Sequence, residues 1–236
     1  MVLLKDDEFH HGLGLVVHIR TKIRYDYSYI ESVAVAFGGG DGGDILEVSS
    51  FGQYMVNGVS NAMLPLQLAD NKFSLTRTRI SDKQESFEIQ MGDGNNSKEG
   101  IVISTFKDMV AIKLLNATQS NFGNSTGLMG NFDTGAMLGR DGSTVFGLDN
   151  VAAFGQEWQV RDTEAKLFQT KTRDPQYPSP CVLPMPKKVG RRLGEGISKV
   201  AAEEACLEWT GDKKERCIYD VMATNDLEVA HAYGAY

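Results

Sequence analysis

The sequence predicts a mainly β protein: an antiparallel β-sandwich-like domain over residues 1–160, a Pro-rich extended connector over 161–192 and a small α-helical appendage over 193–236. Three observations carry this. Apolar residues alternate with polar or small ones from Leu13 to about Val160, the period-2 signature of antiparallel sheets. Glycine-rich and Asn-Gly turn sequences separate the alternating runs. Five of the six prolines fall between Arg173 and Pro186, where they exclude both helix and central strand.

The strands follow in order. Leu13, Leu15, Val17 and Ile19 form one apolar face, and Val33, Val35 and Phe37 another, set between small residues. Phe87, Ile89 and Met91 come next, then Ile101 and Ile103, then Val110, Ile112 and Leu114. Val56-Asn57-Gly58-Val59 predicts a two-residue hairpin, because both central positions need φ > 0. Met91–Ser97 reads as a longer loop. Past Gly196 the pattern turns helical. Ser198 is a candidate N-cap for Lys199–Trp209, Gly211 a stop, Asp212 a cap for Lys213–Ala223, and Thr224 or Asn225 a cap for Asp226–Tyr233.

Phe37–Glu47 (FGGGDGGDILE) poses a separate question, since residues 39–47 fit a nonapeptide that binds calcium in parallel β-helices. Such sites arise by stacking many copies. Here there is one copy and no nine-residue period, so a glycine-rich hairpin connection between SVAVAF and DILEV is the expectation.

Composition excludes some functions. A net charge of −7 argues against a nucleic-acid surface. The one basic cluster, Pro186–Arg192, is short and broken by glycine. No apolar run approaches the ~18–20 residues a membrane span needs, and Met1–His11 turns acidic too early for a secretory signal. His10-His11 beside Asp6, Asp7 and Glu8 reads as a solvated terminus, because adjacent side chains diverge. Tyr25, Tyr27 and Tyr29 share a strand face, as a carbohydrate platform or a cross-strand ladder.

The three cysteines, Cys181, Cys206 and Cys217, all lie in the last quarter. A Cys206–Cys217 bridge would staple a helical hairpin and add about 2–3 kcal/mol; in a reducing compartment the two would be buried thiols. Pairing either with His231 as a nucleophile is the weaker reading. No G-x-S-x-G, H-E-x-x-H or phosphate-cradling glycine loop occurs. Asn95, Asn116 and Asn124 each begin an Asn-x-Ser/Thr tripeptide.

The most informative stretch is Asn121–Val160. Gly127-Leu-Met-Gly-Asn-Phe-Asp133 resembles the Gly-Leu-Cys-Gly-Asn-Phe-Asn/Asp signature of von Willebrand factor type D domains, and Asp141-Gly142 with Phe154-Gly-Gln-Glu-Trp-Gln-Val160 resembles that family's following acidic loop and aromatic strand. Weaker similarities run from Ile19 to Leu46, at Val56–Gly58, and at Ala205-Cys206 with Cys217–Val221, which is similar to the cysteine-rich helical module that often follows such a domain. Two departures stand out. Met129 occupies the position of a bridged cysteine, and Met1–Leu4 looks like the end of the family's first strand, so an upstream segment is expected to be missing and with it a partner for Cys181.

The resemblance implies a secreted, extracellular module of a longer adhesive or matrix precursor, with other extracellular proteins or glycans as partners. It also implies a structural Ca²⁺ in the loop after the Gly-Asn-Phe-Asp motif. The residues agree: Asn131, Asp133 and Asp141 offer hard oxygen ligands among Gly130, Gly135, Gly139 and Gly142, although any tight turn uses the same residue types. With two carboxylates and one amide, modest affinity is expected. A non-enzymatic structural or interaction module is therefore the first functional expectation. A hydrolase or glycan-active enzyme on the same scaffold is the second; it would need convergent carboxylates or a Ser/His/Asp set in one pocket.

Overall fold

The computed structural model describes residues 1–24, 27–38, 43–91, 99–170 and 196–233, with backbone alone at 23, 24, 27 and 28. Asp41, residues 92–98 with Asn95, Tyr25, the side chain of Tyr27, the Pro-rich stretch, Cys181 and the basic cluster lie outside this description. The chain divides into two compact units, Met1–Gln169 and Thr170–Ala235.

The first unit is mainly β and wholly antiparallel in its sheets, as the alternation predicts. A six-stranded sheet runs in sequence order: β1 (Val2–Asp6), β2 (Leu15–Arg24), β3 (Tyr27–Phe37), β4 (Ile45–Ser49), β5 (Tyr54–Val56) and β6 (Val59–Ser60). A single turn, α1 (Phe9–Gly12), joins β1 to β2 with His10 and His11 both left-handed. The second sheet is a meander of β7 (Leu66–Leu68), β8 (Phe73–Ser81), β9 (Gln84–Met91), β10 (Gly100–Phe106) and β11 (Met109–Leu115).

Alternate residues of both sheets fill one core. Leu15, Val17, Ile19, Val33, Val35, Phe37, Leu46 and Val48 come from the first sheet, and Phe73, Leu75, Phe87, Ile89, Ile101 and Ile103 from the second. Each such side chain contributes roughly 1.5–3 kcal/mol on burial. The turns follow the chemistry read above. Asn57 and Gly58 have φ of 48° and 81°, matching a primed two-residue hairpin, and Val56 pairs with Val59. FGGGDGGDILE links the antiparallel strands β3 and β4. In its described part, Asp44 accepts hydrogen bonds from Asn57 Nδ2 at 2.6 Å and from the Ala69 N–H at 2.5 Å.

One expectation changes. Alternation suggests a wetter face for the first sheet, yet Ala34 and Ala36 are as buried as Val33 and Val35. Leu167 lies on them, and Phe168 stacks under the Arg20 guanidinium at 4.1 Å. Leu167–Gln169 thus pack on the back of the sheet, and the first unit extends to Gln169. Alanines at those positions leave room for this covering strap.

The second unit holds α4 (Lys199–Ala205), α5 (Gly211–Thr224) and α6 (Glu228–Ala232). Ser198 caps α4 as expected, its Oγ accepting from the Ala201 N–H. Two boundaries differ. Gly211 opens α5 rather than closing α4, because its φ of 56° lets the chain reverse behind Thr210. Asn225 is the left-handed C-cap of α5, and its side chain also accepts from the Ile197 N–H. On α5, Cys217, Val221 and Thr224 form the buried face at helical spacing. Cys206 and Cys217 are disulfide-bonded, with Cα atoms 6.0 Å apart.

Candidate functional site

The segment from Thr118 to Gln169 contains every residue of the signature stretch, and its first task is to close a sheet edge. Strand β1 is hydrogen-bonded to β2 on one side. On the other side the Lys5 N–H donates to Thr126 O and the Thr126 N–H to Lys5 O, while the N–H groups of Leu128 and Met129 donate to Val2 O and Leu3 O. That edge of β1 is therefore covered by Thr126 and the Gly-Leu-Met-Gly segment itself. Gly127 is required there, because a Cβ would sit 2.3 Å from Leu3 O. The helical turn α2 (Gln119–Phe122) plants Phe122 in the core, and Phe132 rests on it with ring centres 5.9 Å apart. Ser125 donates to Asp6 Oδ2 at 2.8 Å. Burial pushes the Asp6 carboxyl up, against the lowering effect of the Ser125 bond.

Beyond this edge, two short strands, β12 (Met137–Leu138) and β13 (Val145–Phe146), make a hairpin followed by α3 (Val151–Glu157). Phe146 packs on Phe154, and buried Trp158 donates its indole N–H to Leu138 O. Arg140 ties the pieces together. Its guanidinium stacks on Trp158 at 4.8 Å, donates to Glu157 O and Gln159 O, and pairs with Glu164. Although burial works against the Glu164 carboxylate, the Arg161 N–H and the Arg140 guanidinium hold its pKa low. Buried His18 sits in the same field. Burial, then the Met1 amino group, push its pKa down to about 4, with Glu164 opposing and Arg140 adding to the effect.

The three oxygen ligands read from the sequence fall in two turns. Asn131 and Asp133 lie in the turn closed by the Asn131 N–H to Ala136 O bond. Asn131 Oδ1 accepts from the Thr134 N–H and hydroxyl, both at 2.9 Å. Asp141 lies in the turn closed by the Gly139 N–H to Thr144 O bond, at the other end of β12. Its carboxylate accepts from the Thr144 hydroxyl at 2.6 Å and from the N–H groups of Thr144 and Ser143, which hold its pKa below the usual range. Both residues have the oxygen chemistry calcium takes, and both already serve their own turns. Asp133 is exposed. Among the described residues no group of three or more His, Cys, Asp or Glu side chains is placed to hold a metal.

The features weighed for catalysis are dispersed. Cys206 and Cys217 are bridged and fully buried, so neither offers a thiolate to His231. His10 packs its ring on Phe73, 5.2 Å between centres. Two acids share one open groove on the helical unit, lined by Glu215, Arg216, Tyr219, Asp220 and Tyr233. There burial raises the Asp220 carboxyl, and the Tyr233 hydroxyl donates to it. No helix among the described residues is long and apolar enough to cross a membrane.

Sequence reasoning singled out Trp158 and Asp141 but missed Arg140, whose partners lie 17 to 24 positions away. The only signal was a lone arginine between Gly139 and Asp141 in a turn. No protein-family model matches this chain, and a search of the curated proteins finds no match either.

Proposed function

We propose that this chain is a non-enzymatic extracellular structural and interaction module of the von Willebrand type D kind, part of a larger adhesive or matrix protein. One observation carries the reading: the densest motif in the sequence is spent on architecture. Gly127–Met129 closes the β1 edge, Asn131 and Asp141 cap successive turns, and Trp158 with Arg140 locks the strap to the sheet. An enzyme would aim its most specialised residues at a substrate cleft. The disulfide is the expected companion of an oxidising compartment. Other extracellular proteins or glycans are the partners this reading implies.

Calcium is the second half of the proposal. Asn131, Asp133 and Asp141, with the carbonyls of their glycine-bearing turns, would hold it as a clamp on the 131–144 region, and weakly, because Asn131 and Asp141 are already engaged. The test measures thermal unfolding with and without millimolar calcium, for the wild type and for Asp133→Asn. A calcium-dependent rise in Tm that Asp133→Asn diminishes is expected, since a ligand stabilises through its affinity for the folded state. An unchanged Tm ends the calcium claim. Immunodetection in the source organism should place the protein outside the cell or at its surface. Glycosidase or esterase turnover abolished by Glu215→Gln or Asp220→Asn would replace this reading with the enzymatic one.

A further inference from the structure

We propose that Asn116 and Asn124 are acceptors for N-linked glycans, bracketing the α2 turn at one end of the β unit; this rests on the extracellular reading above. Both asparagines are exposed, and both begin an acceptor tripeptide, Asn116-Ala-Thr118 and Asn124-Ser-Thr126. Asn116 follows the last residue of β11 in a left-handed conformation, with φ of 44°, so the chain leaves the sheet there. Thr118 is exposed as well, and its hydroxyl lies 2.8 Å from the neighbouring Ser120 hydroxyl. The whole first tripeptide is open to solvent or nearly so after folding.

The second tripeptide is built differently. Asn124 is exposed, but Ser125 is buried with its hydroxyl on Asp6, and Thr126 is hydrogen-bonded to Lys5 in both directions. A transferase reads an acceptor as an accessible segment, so modification at Asn124 must precede the docking of 125–129 on β1. In each case the asparagine amide nitrogen bonds to the anomeric carbon of a lipid-diphosphate-linked oligosaccharide. The carbon–oxygen bond to phosphate breaks, the lipid diphosphate leaves, and the amide gives up one proton.

The two sites have a shared consequence. Leu115 pairs with Gly100, whereas the β10–β11 turn lies at the Phe106–Met109 end, about 20 Å away along strands rising ~3.4 Å per residue. Sugars at Asn116 and Asn124 would cover the first end. They would leave the second bare, where exposed Phe51 is fixed by its N–H to Lys107 O.

The test expresses the full chain behind a cleavable secretion leader in eukaryotic cells, always with Asn95→Gln, and removes N-glycans enzymatically before electrophoresis. The background protein should lose two sugars, Asn116→Gln or Thr118→Ala should lose one, Asn124→Gln or Thr126→Ala should lose the other, and the double variant should not shift. Secreted background protein with no removable sugar would overturn the proposal. Sugar at Asn116 alone would overturn the assignment of Asn124 and mean that Ser125 docks before transfer. Chain refolded without sugar and then offered to the transferase should be modified at Asn116 only. The forced leader makes these results independent of native location. Unmodified protein recovered from the source, alongside a doubly modified secreted form, would count against the extracellular reading and not against the acceptor geometry.

Discussion

The two units of this chain solve the problem of staying folded in different ways. The β unit buries Phe9, Phe37, Phe73, Phe87, Phe122, Phe154 and Trp158, together with the aliphatic faces of two sheets. Among the described residues, the apolar side chains that the helical unit buries are Ala202, Val221, Val229, Ala230, Ala232 and two cysteines. The disulfide lies among these smaller side chains. The β unit contains no cysteine, and exposed Met129 is held there through its backbone N–H to Leu3 O on β1.

Each unit also carries one tryptophan, Trp158 in the first and Trp209 in the second. Trp209→Phe therefore yields a fluorescence report on the β unit, and Trp158→Phe one on the helical unit. The largest effect expected from separating them is acid sensitivity confined to the β unit. His18 has its folded pKa lowered to about 4 from 6.5. Between these values the unfolded chain binds more protons, so stability falls as pH drops through that window and is fully present above 6.5. The loss attributable to His18 is on the order of 3 kcal/mol by pH 4. Glu164, whose pKa is held low, pushes the same way at lower pH, while Asp6, raised by burial, opposes. Urea unfolding of Trp209→Phe at pH 7 and pH 4.5, with and without His18→Gln, isolates the histidine. Equal acid losses in the two proteins would show that His18 does not control this response.

The next effect belongs to the other unit. Replacing Cys206 and Cys217 by serine opens a short loop and should cost the helical unit about 2–3 kcal/mol. Read through Trp209, the midpoint should collapse; read through Trp158, it should not move. A shift of both signals together would mean that the two units unfold as one, and that the contrast drawn above describes architecture without independent stability.

How much of this was legible in the sequence follows the same division. Strands such as Phe87–Met91 and Ile101–Ile103 announce themselves, because each buried face repeats every second residue. Ser198 was legible too, since a cap acts within four residues. What escaped depends on distant partners. Ala34 and Ala36 look like the wet side of a strand until Leu167 covers them. Arg140 looks like a turn residue until it meets Glu164 and Trp158. Gly211 and Asn225 were correctly marked as punctuation but on the wrong side of the helix, because a left-handed residue can close one element or admit the next. The three oxygen-bearing residues proposed for calcium share this weakness. Asn131, Asp133 and Asp141 are near in sequence, yet β12 stands between the two turns that hold them.

The smallest effect tests whether turn chemistry in the β unit is specification or mere tolerance. Asn57 holds φ at 48°, its N–H donates to Ile45 O at 3.0 Å, its Oδ1 accepts from the Ile45 N–H at 2.8 Å, and its Nδ2 donates to Asp44. Asn57→Gly keeps the left-handed backbone at no steric cost but removes both side-chain bonds. Because the site is exposed, each bond contributes at the low end of the usual 0.5–1.5 kcal/mol, so the expected loss is about 1 kcal/mol. Asn57→Ala removes the same bonds and adds the cost of a left-handed alanine, roughly another 1 kcal/mol. Through Trp158, wild type, glycine and alanine should therefore unfold in that order at evenly falling urea midpoints. If the glycine variant matches the wild type, the bonds to Asp44 and Ile45 add nothing, and only the backbone angle is being selected. If glycine and alanine are equally destabilised, the angle is not what matters. Asp44, which fits the last acidic position of a calcium nonapeptide, would then be the organising group of this corner, holding Asn57 and Ala69 together without a metal.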